Sequence, residues 1–361
     1  MNNKIKILVA LSGGVDSSVA ALLLKQQSYN VIGAYMELGS LDKVAIKSAE
    51  AVCKKLEIPF HIFDVSGKFK KEVVDYFIRS YESGITPNPC VVCNKTIKFG
   101  WLLDCAKNLG CDYLATGHYV KTRTNAEQDA DLRGILLKAK DEKKDQSYFL
   151  WQLNQEQLKH ILFPLGDLTK PEVRKMAKIY DLPTYNKSES QDICFVPDND
   201  LKKFLQNFSK KLKKDGDIVD KKGNILGRHQ GLVGFTIGQR ENLPKLSLKN
   251  YYKKINPQRM PAMYVLKLDV DKNELIVGQK EDLLAKKLEA KNPNWISSNV
   301  KFPLKCEAKI RYGARPESCI VRRINDKLEV TFIKPQRAAT PGQSIVFYKG
   351  EMLLGGGVIQ K

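Results

Sequence analysis

Two groups of residues in this chain stand in patterns that do chemistry. The first is the turn Ser12-Gly13-Gly14-Val15-Asp16-Ser17-Ser18, which follows the apolar residues Ile5, Ile7, Leu8, Val9 and Leu11 and precedes Val19, Ala20, Leu22 and Leu24. The pattern predicts a buried strand, a turn with no side chain in the way, and the start of a helix. Such a turn presents backbone N–H groups to one point, and the helix dipole favours negative charge there, so the ligand class is phosphate. The common nucleotide loop is excluded, because it needs a Lys after the second Gly and no Lys occurs between Lys6 and Lys25. The G-x-G-x-x-G pattern is also absent. A strand–turn–helix whose glycines serve only the bend is the plainer alternative.

The second group is thiols. Residues 86–94, TPNPCVVCN, carry two prolines and two asparagines and read as a rigid exposed loop holding Cys90 and Cys93. A helix is expected over 95–108, stopped by Gly110. Cys93 then sits just before a helix N-terminus and close to Lys95, and both features lower a thiol pKa. Cys194 is a lone cysteine behind the polar run 187–192. Cys90, Cys93 and Cys194 are three thiols, the number that holds an iron–sulfur cluster with one open iron. No second C-x-x-C completes a zinc set. Eight cysteines in a chain of this kind are not a disulfide framework. Cys105 and Cys111 flank a helix end and a strand start, and Cys53, Cys306 and Cys319 lie in apolar patterns, so these five are expected to be inert core. His118 follows an expected strand at 112–115 and faces the same end of the sheet, or is a satisfied structural histidine.

The elements that must position these groups alternate. Strands are expected at 31–36 and 60–65, and helices at 42–56 and 68–81, which argues for a doubly wound α/β domain with a parallel sheet and its ligands beyond the carboxyl ends of the strands. Met36 ends the second strand on that side, placed to pack on an adenine ring or to fill core. A strand at 132–140 and a helix at 171–180 with a first-turn proline follow. From about residue 198 the character changes to a short basic helix (201–213), a small β unit (215–228), a glycine-punctuated stretch (231–243) and two strands within 263–277. Residues 300–359 are almost entirely strand-like and predict a small closed β-barrel. The expected division is a catalytic domain over 1–198, a small central domain over 199–277 and a C-terminal barrel over 278–361.

With 361 residues, 43% hydrophobic and 28% charged, the chain has the balance of a globular protein of two or three domains. No apolar run approaches the roughly 18 residues of a membrane span. The chain enters a strand at once and lacks an arginine-rich leader, so a cytoplasmic location is expected. The net charge of +20 points to a polyanionic partner. Only 12 of the 60 basic residues are Arg, so compositional bias towards Lys is a second source of that charge.

In order along the chain stand SGGVDSS at Ser12, NPCVVCNKTIKF at Asn88, ATGHY at Ala115, KDQSYFL at Lys144, ICF at Ile193, GLVGFTIGQR at Gly231, and TPGQSIVFY with LGGGVI near the end. In this order they resemble the bacterial and organellar tRNA-specific 2-thiouridylases, sulfurtransferases of the ATP pyrophosphatase superfamily, across nearly the whole chain. The resemblance implies that Ala10, Leu11, Ser12, Gly13, Gly14, Val15, Asp16 and Ser17, with Met36 and Gly117, hold ATP together with Mg²⁺. It implies that Asn88, Pro89 and Cys90 surround the target base. Cys93 is then the nucleophile and Cys194 the persulfide carrier, the two joining in a transient disulfide. His118, Lys144, Asp145, Gln146, Arg311, Tyr312 and Gln343 touch tRNA, and a sulfur donor protein, a cysteine desulfurase or a sulfur-relay protein, loads Cys194. Many relatives carry Asp where this chain has Cys90, so Cys90 is either a passive replacement or a cluster ligand. Arg240, which follows a glycine turn in a basic segment, is added here as a phosphate contact. Two other readings compete: an ATP pyrophosphatase acting on a small molecule, and a non-catalytic RNA-binding protein on a degenerate nucleotide fold.

Overall fold

The computed structural model describes residues 4–39, 42–123, 134–188, 193–209, 214–244, 246, 262–296 and 300–360. Parts of the expected 132–140 strand, the 187–192 polar run and the 201–213 helix lie outside the described residues.

Strand β1 (Lys6–Ala10) is apolar on both sides because both sides are covered: Ile7 and Val9 join one core and Leu8 the opposite one. Helix α1 (Val15–Gln26), β2 (Asn30–Glu37), α2 (Lys43–Leu56) and β3 (Phe60–Asp64) follow in alternation. Asp42 caps α2 by accepting the Ala45 N–H at 2.9 Å. Residues 66–82 form α3, built of Ser66–Phe69, a widened π-helical stretch Lys70–Val74, and Asp75–Glu82. Residues 89–108 form α4, built of Pro89–Cys93, a second π-helical stretch Asn94–Trp101, and Leu102–Asn108. After β4 (Tyr113–Ala115), the hairpin β5 (Lys121–Arg123) and β6 (Ile135–Leu137) leaves the sheet, and β7 (Ile161–Leu162) returns to it. The sheet runs β3-β2-β1-β4-β7, parallel throughout, with α1, α2 and α5 (Lys170–Ile179) on one face and α4 on the other.

The structure corrects the expected 86–94 loop. Helix α4 begins at Pro89, not at residue 95. Proline suits the first helical position, where its fixed φ is right and its missing N–H is no loss.

Helix α6 (Leu201–Phe208) packs Leu205 against Phe77, Ile78 and Tyr81 of α3. Strands β8 (Asp215–Val219), β9 (Ile225–Gln230), β10 (Tyr264–Asp269) and β11 (Glu274–Gly278) form the central sheet, ordered β10-β11-β8-β9. The last domain is an antiparallel barrel of β12 (Leu284–Trp295), β13 (Leu304–Lys309), β14 (Glu317–Ile324), β15 (Lys327–Arg337), β16 (Ser344–Lys349) and β17 (Met352–Ile359). Its order is β12-β15-β14-β13-β16-β17, and β12 closes on β17. The strand-like pattern read from residue 300 misses β12. That strand is rich in Lys and carries Pro293, which sits where its register with β17 slips between Lys291 and Asn294.

The barrel and the first domain share structure. Hairpin β5–β6 extends the barrel sheet by pairing Leu137 with Met352 of β17. Trp151 is fully buried and donates its Nε1–H to Ser344 Oγ at 3.0 Å, and Tyr148 donates its O–H to the Ser344 carbonyl at 2.9 Å. Asn294 Nδ2 donates to the carbonyls of Trp151 and Leu153. Among the described residues no helix is long and apolar enough to cross a membrane.

Candidate active site

Strand order reverses between β1 and β4, because the chain first builds outward through β2 and β3 and then returns to the other side of β1. Ligands of such sheets bind in the crevice at that point, beyond the carboxyl ends. Leu11 to Ser17 leave β1 there, and Thr116 to His118 leave β4 beside them. Gly13 has φ +71, and a Cβ on it would meet the Ala45 carbonyl oxygen at 2.5 Å; a Cβ on Gly117 would lie 2.7 Å from the Ser17 nitrogen. Both glycines are needed for backbone to approach backbone around the turn. The hydroxyls behind it are tied down: Ser17 Oγ accepts the Ser12 N–H at 3.2 Å, Ser18 donates to the Gly14 carbonyl at 2.8 Å, and Thr184 donates to Ser18.

Asp16 lies in the first turn of α1 and has strong partners. Lys170 Nζ donates to both its oxygens at 2.6 and 2.7 Å, and the Tyr119 hydroxyl donates at 2.7 Å. Lys170 is buried, while a third of the Asp16 side chain faces the crevice. Sequence reasoning missed Lys170. The available signal was a lysine at the first position of a helix, where the dipole disfavours a cation and another reason must hold it. A glycine turn, an ammonium group and a carboxylate together are the donor set a polyphosphate with a divalent cation needs. Ala10 and Leu11 end β1, with Leu11 bonded to the Ala34 carbonyl, and Met36 packs between the two clusters near the end of β2.

The thiols meet in the same region. Cys93 is buried with Val65, Phe69, Val73 and Ile97, and Met36 and Phe195 pack on that cluster. Phe195 stacks edge-on against Phe69 at 5.7 Å and Phe77 at 5.2 Å, which anchors its neighbour Cys194 at the cluster. Cys93 and Cys194 are close enough for each to feel charge from the group, as is Cys90. Cys90 and Cys194 present exposed surface, yet they stand in a crowded hollow that raises both thiols. Burial pushes the Cys93 thiol up to about 12. The expected thiolate is therefore corrected: Cys93 lies inside a continuous helix, not ahead of one, and desolvation outweighs the nearby cation. That cation is Lys98, not Lys95. Lys98 draws down Cys90, Cys93 and Cys194 together and, with burial, drives the His118 imidazole well below its ordinary range. Cys53, Cys105, Cys111 and Cys319 sit in or against the cores, and Cys306 faces Cys319 across β13 and β14 at 3.7 Å.

Asn88 is buried at the start of α4. The Tyr148 hydroxyl reaches its side chain, the Tyr76 hydroxyl reaches its backbone, and Arg311 stands beside Tyr148. Pro89 is buried as the first helical residue. Arg311 is exposed, and Tyr312, also exposed, lies against Phe149 at 4.7 Å. Lys144 is half-buried at a turn. Asp145 is inside: it accepts from the Ala139 and Ser147 N–H groups and the Ser147 hydroxyl, and faces Lys309 at 3.8 Å. Gln146 accepts the Tyr119 N–H, which holds the tyrosine that bonds Asp16. His118 bonds Thr116 Oγ1 at 2.8 Å and packs on Phe99 and Phe163. Gln343 donates to the carbonyls of Thr86 and Pro87. Arg240 is exposed, two residues beyond a turn at Gly238. Among the described residues, no group of three or more His, Cys, Asp and Glu side chains is gathered to hold a metal ion.

Residues 5–198 match the family model described as a tRNA methyl transferase HUP domain, 202–279 its PRC-barrel domain, and 285–359 an aminomethyltransferase β-barrel domain. The tRNA-specific 2-thiouridylase MnmA 2 of Clostridium tetani is 45% identical over 99% of this chain and 99% of its own length. The tRNA-specific 2-thiouridylase MnmA of Clostridioides difficile is 43% identical over 99% of this chain and 98% of its own. Among solved structures, the NMN synthetase of Francisella tularensis aligns over 52% of this chain and 67% of its own at 15% identity, with a TM-score of 0.33. The domain descriptions carry a methyl-transfer label, whereas the full-length relatives are named for thiolation. With matches of that identity from end to end, the chain belongs to the tRNA-specific 2-thiouridylase family, a family of tRNA sulfurtransferases.

Proposed function

We propose that this protein thiolates the wobble uridine of tRNA at position 2, using ATP and a cysteine persulfide. The observation that carries the reading is the convergence of Cys93 and Cys194, far apart in sequence, at a cluster with Met36, which lies near the end of β2 on the sheet edge from which the glycine turn leaves β1. A small-molecule synthetase has no use for that thiol pair, and a passive RNA-binding fold has no use for the turn with Asp16 and Lys170.

ATP supplies the adenylyl group that makes the uracil 2-oxygen a leaving group. The residues of the chain do the rest. The turn and Lys170 would orient the phosphates, and Asp16 would hold a divalent cation, Mg²⁺, which would neutralise charge on the departing pyrophosphate. Asn88, Pro89 and Cys90 frame a base drawn out of its stack, since chemistry on a base edge requires access to it. Cys194 carries the outer sulfur delivered by a donor protein. In one order of events, Cys93 attacks the Cys194 sulfur, hydrosulfide leaves, and it displaces AMP from carbon 2. In the other, the outer persulfide sulfur displaces AMP and Cys93 then releases the product by attacking Cys194. Both orders end in a Cys93–Cys194 disulfide, which two electrons from a cellular thiol reductant reopen. Arg311, Tyr312 and Arg240, which are exposed, and the half-buried Lys144 are the groups for RNA. A cytoplasmic location belongs to the same reading.

The test is thiolation of wobble-uridine tRNA by anaerobically purified protein with a cysteine desulfurase and cysteine as the persulfide donor, run beside Cys90→Ser, Cys93→Ser and Cys194→Ser. Activity in iron-free wild-type and Cys90→Ser protein, with loss in Cys93→Ser, is expected. Activity that tracks bound iron and fails in all three variants would sink the persulfide route.

A further inference from the structure

The turn between β15 and β16 reaches out of the barrel and bonds the catalytic chain just ahead of Asn88. The Thr86 N–H donates to the Pro341 carbonyl at 3.1 Å. Gln343 Nε2 donates to the Thr86 carbonyl at 3.2 Å and the Pro87 carbonyl at 3.0 Å. Gly342, at φ +91, lets the turn in: a Cβ there would lie 2.1 Å from Ile85 Cγ2 and 2.7 Å from the Thr86 oxygen. The turn itself is rigid. Gly342 donates to the Ile359 carbonyl, Ile359 donates back to the Gln343 carbonyl, and Gln343 closes on Thr340. A braced barrel loop thus fixes residues 85–87, and these lead directly into the helix that carries Asn88 at its cap, then Cys90 and Cys93.

We propose that Gln343 is a positioning residue of the thiolation site: its side-chain amide sets the backbone ahead of Asn88, so that the base pocket and the thiol helix take their working orientation only with the barrel docked. This rests on the thiolation reading above and departs from the tRNA contact that the resemblance implies for Gln343. Both donors of one nitrogen are directed at protein carbonyls. A neutral amide is the side chain that does this without a charge, and a methyl-ended chain of similar length would leave two carbonyls unpaired.

The experiment compares wild-type protein with Gln343→Met and Gln343→Ala in steady-state thiolation, and measures iodoacetamide alkylation of Cys90 in tRNA-free protein. The expected result is a kcat lower by roughly tenfold or more, because small misplacements of reacting groups carry costs of that size. The KM for tRNA stays within about twofold, and Cys90 alkylates faster in both variants. A KM raised about tenfold with kcat and alkylation unchanged would make Gln343 an RNA contact and overturn the proposal. Hydrogen exchange of wild-type protein supplies a readout that no misfolded variant can confuse. The Thr86 amide is expected to exchange slowly, and fast exchange would mean that the barrel turn is not docked. If wild-type protein makes no 2-thiouridine with any sulfur donor, the thiolation reading fails, while the alkylation and exchange results still judge the docking.

Discussion

Lys98 is the charge on which three thiols and one imidazole depend, and its removal has a signed consequence. Burial raises Cys90, Cys93 and Cys194, and Lys98 opposes it at each. In Lys98→Gln the thiols rise further, so the pH profile of Cys93 alkylation is expected to move to higher pH; a profile that stays in place would remove Lys98 from the site. A buried thiol near 12 is also a poor nucleophile at neutral pH, so the thiolation proposed above requires that Cys93 be activated only once substrate and persulfide are in place. At the other end of the crevice, Lys170→Met strips Asp16 of its ammonium partner. A loss of about 1–3 kcal/mol is expected by thermal melt, along with a drop in ATP affinity of roughly tenfold by calorimetry. An unchanged melt and affinity would make the pair incidental.

Helix α4 shows why element geometry matters to these groups. In an ideal α-helix, Lys98 would not lie beneath Cys93, five residues earlier. The π-helical stretch Asn94–Trp101 widens the turn and brings the five-residue spacing onto one face. Much of this was legible beforehand. The glycine turn and the alternating strands and helices stand out because local spacing alone encodes them. The start of α4 did not, since Asn-Pro-Cys reads equally as a loop or as a capped helix with proline in its first position. Lys170, Lys98 and the inward fold of Asp145 were hidden for a different reason: each takes its meaning from a partner far along the chain. Strand β12 was hidden by Pro293 and its lysines, which only barrel closure overrides.

Across the whole molecule, the domains are tied with different strength. His229 in the central domain is buried, accepts the Gly231 N–H and meets the Asn273 carbonyl at 3.1 Å, and burial holds its imidazole below the ordinary value. The unfolded chain therefore takes up a proton first as pH falls. The stability this histidine gives is full above about pH 6.5 and is lost below it, as the pH drops towards the folded-state value. A flatter acid limb in the melting temperature of His229→Gln is the expected signature, and an unchanged limb would assign the acid loss elsewhere. Between the first domain and the barrel the tie is tighter. Trp151→Ala empties a fully buried site on that interface, where a loss of about 3–5 kcal/mol and a single lowered transition for both domains are expected in calorimetry; two separate transitions would contradict the shared interface. The β5–β6 hairpin carries this union into evolution and engineering. Because its outer ladder is completed by β17, a chain ended ahead of Leu284 would bare an open strand edge beside Trp151. Such a fragment is a seed for edge-to-edge aggregation rather than a smaller enzyme, so a lineage that lost the barrel would have to re-cover that edge before it could shed the domain.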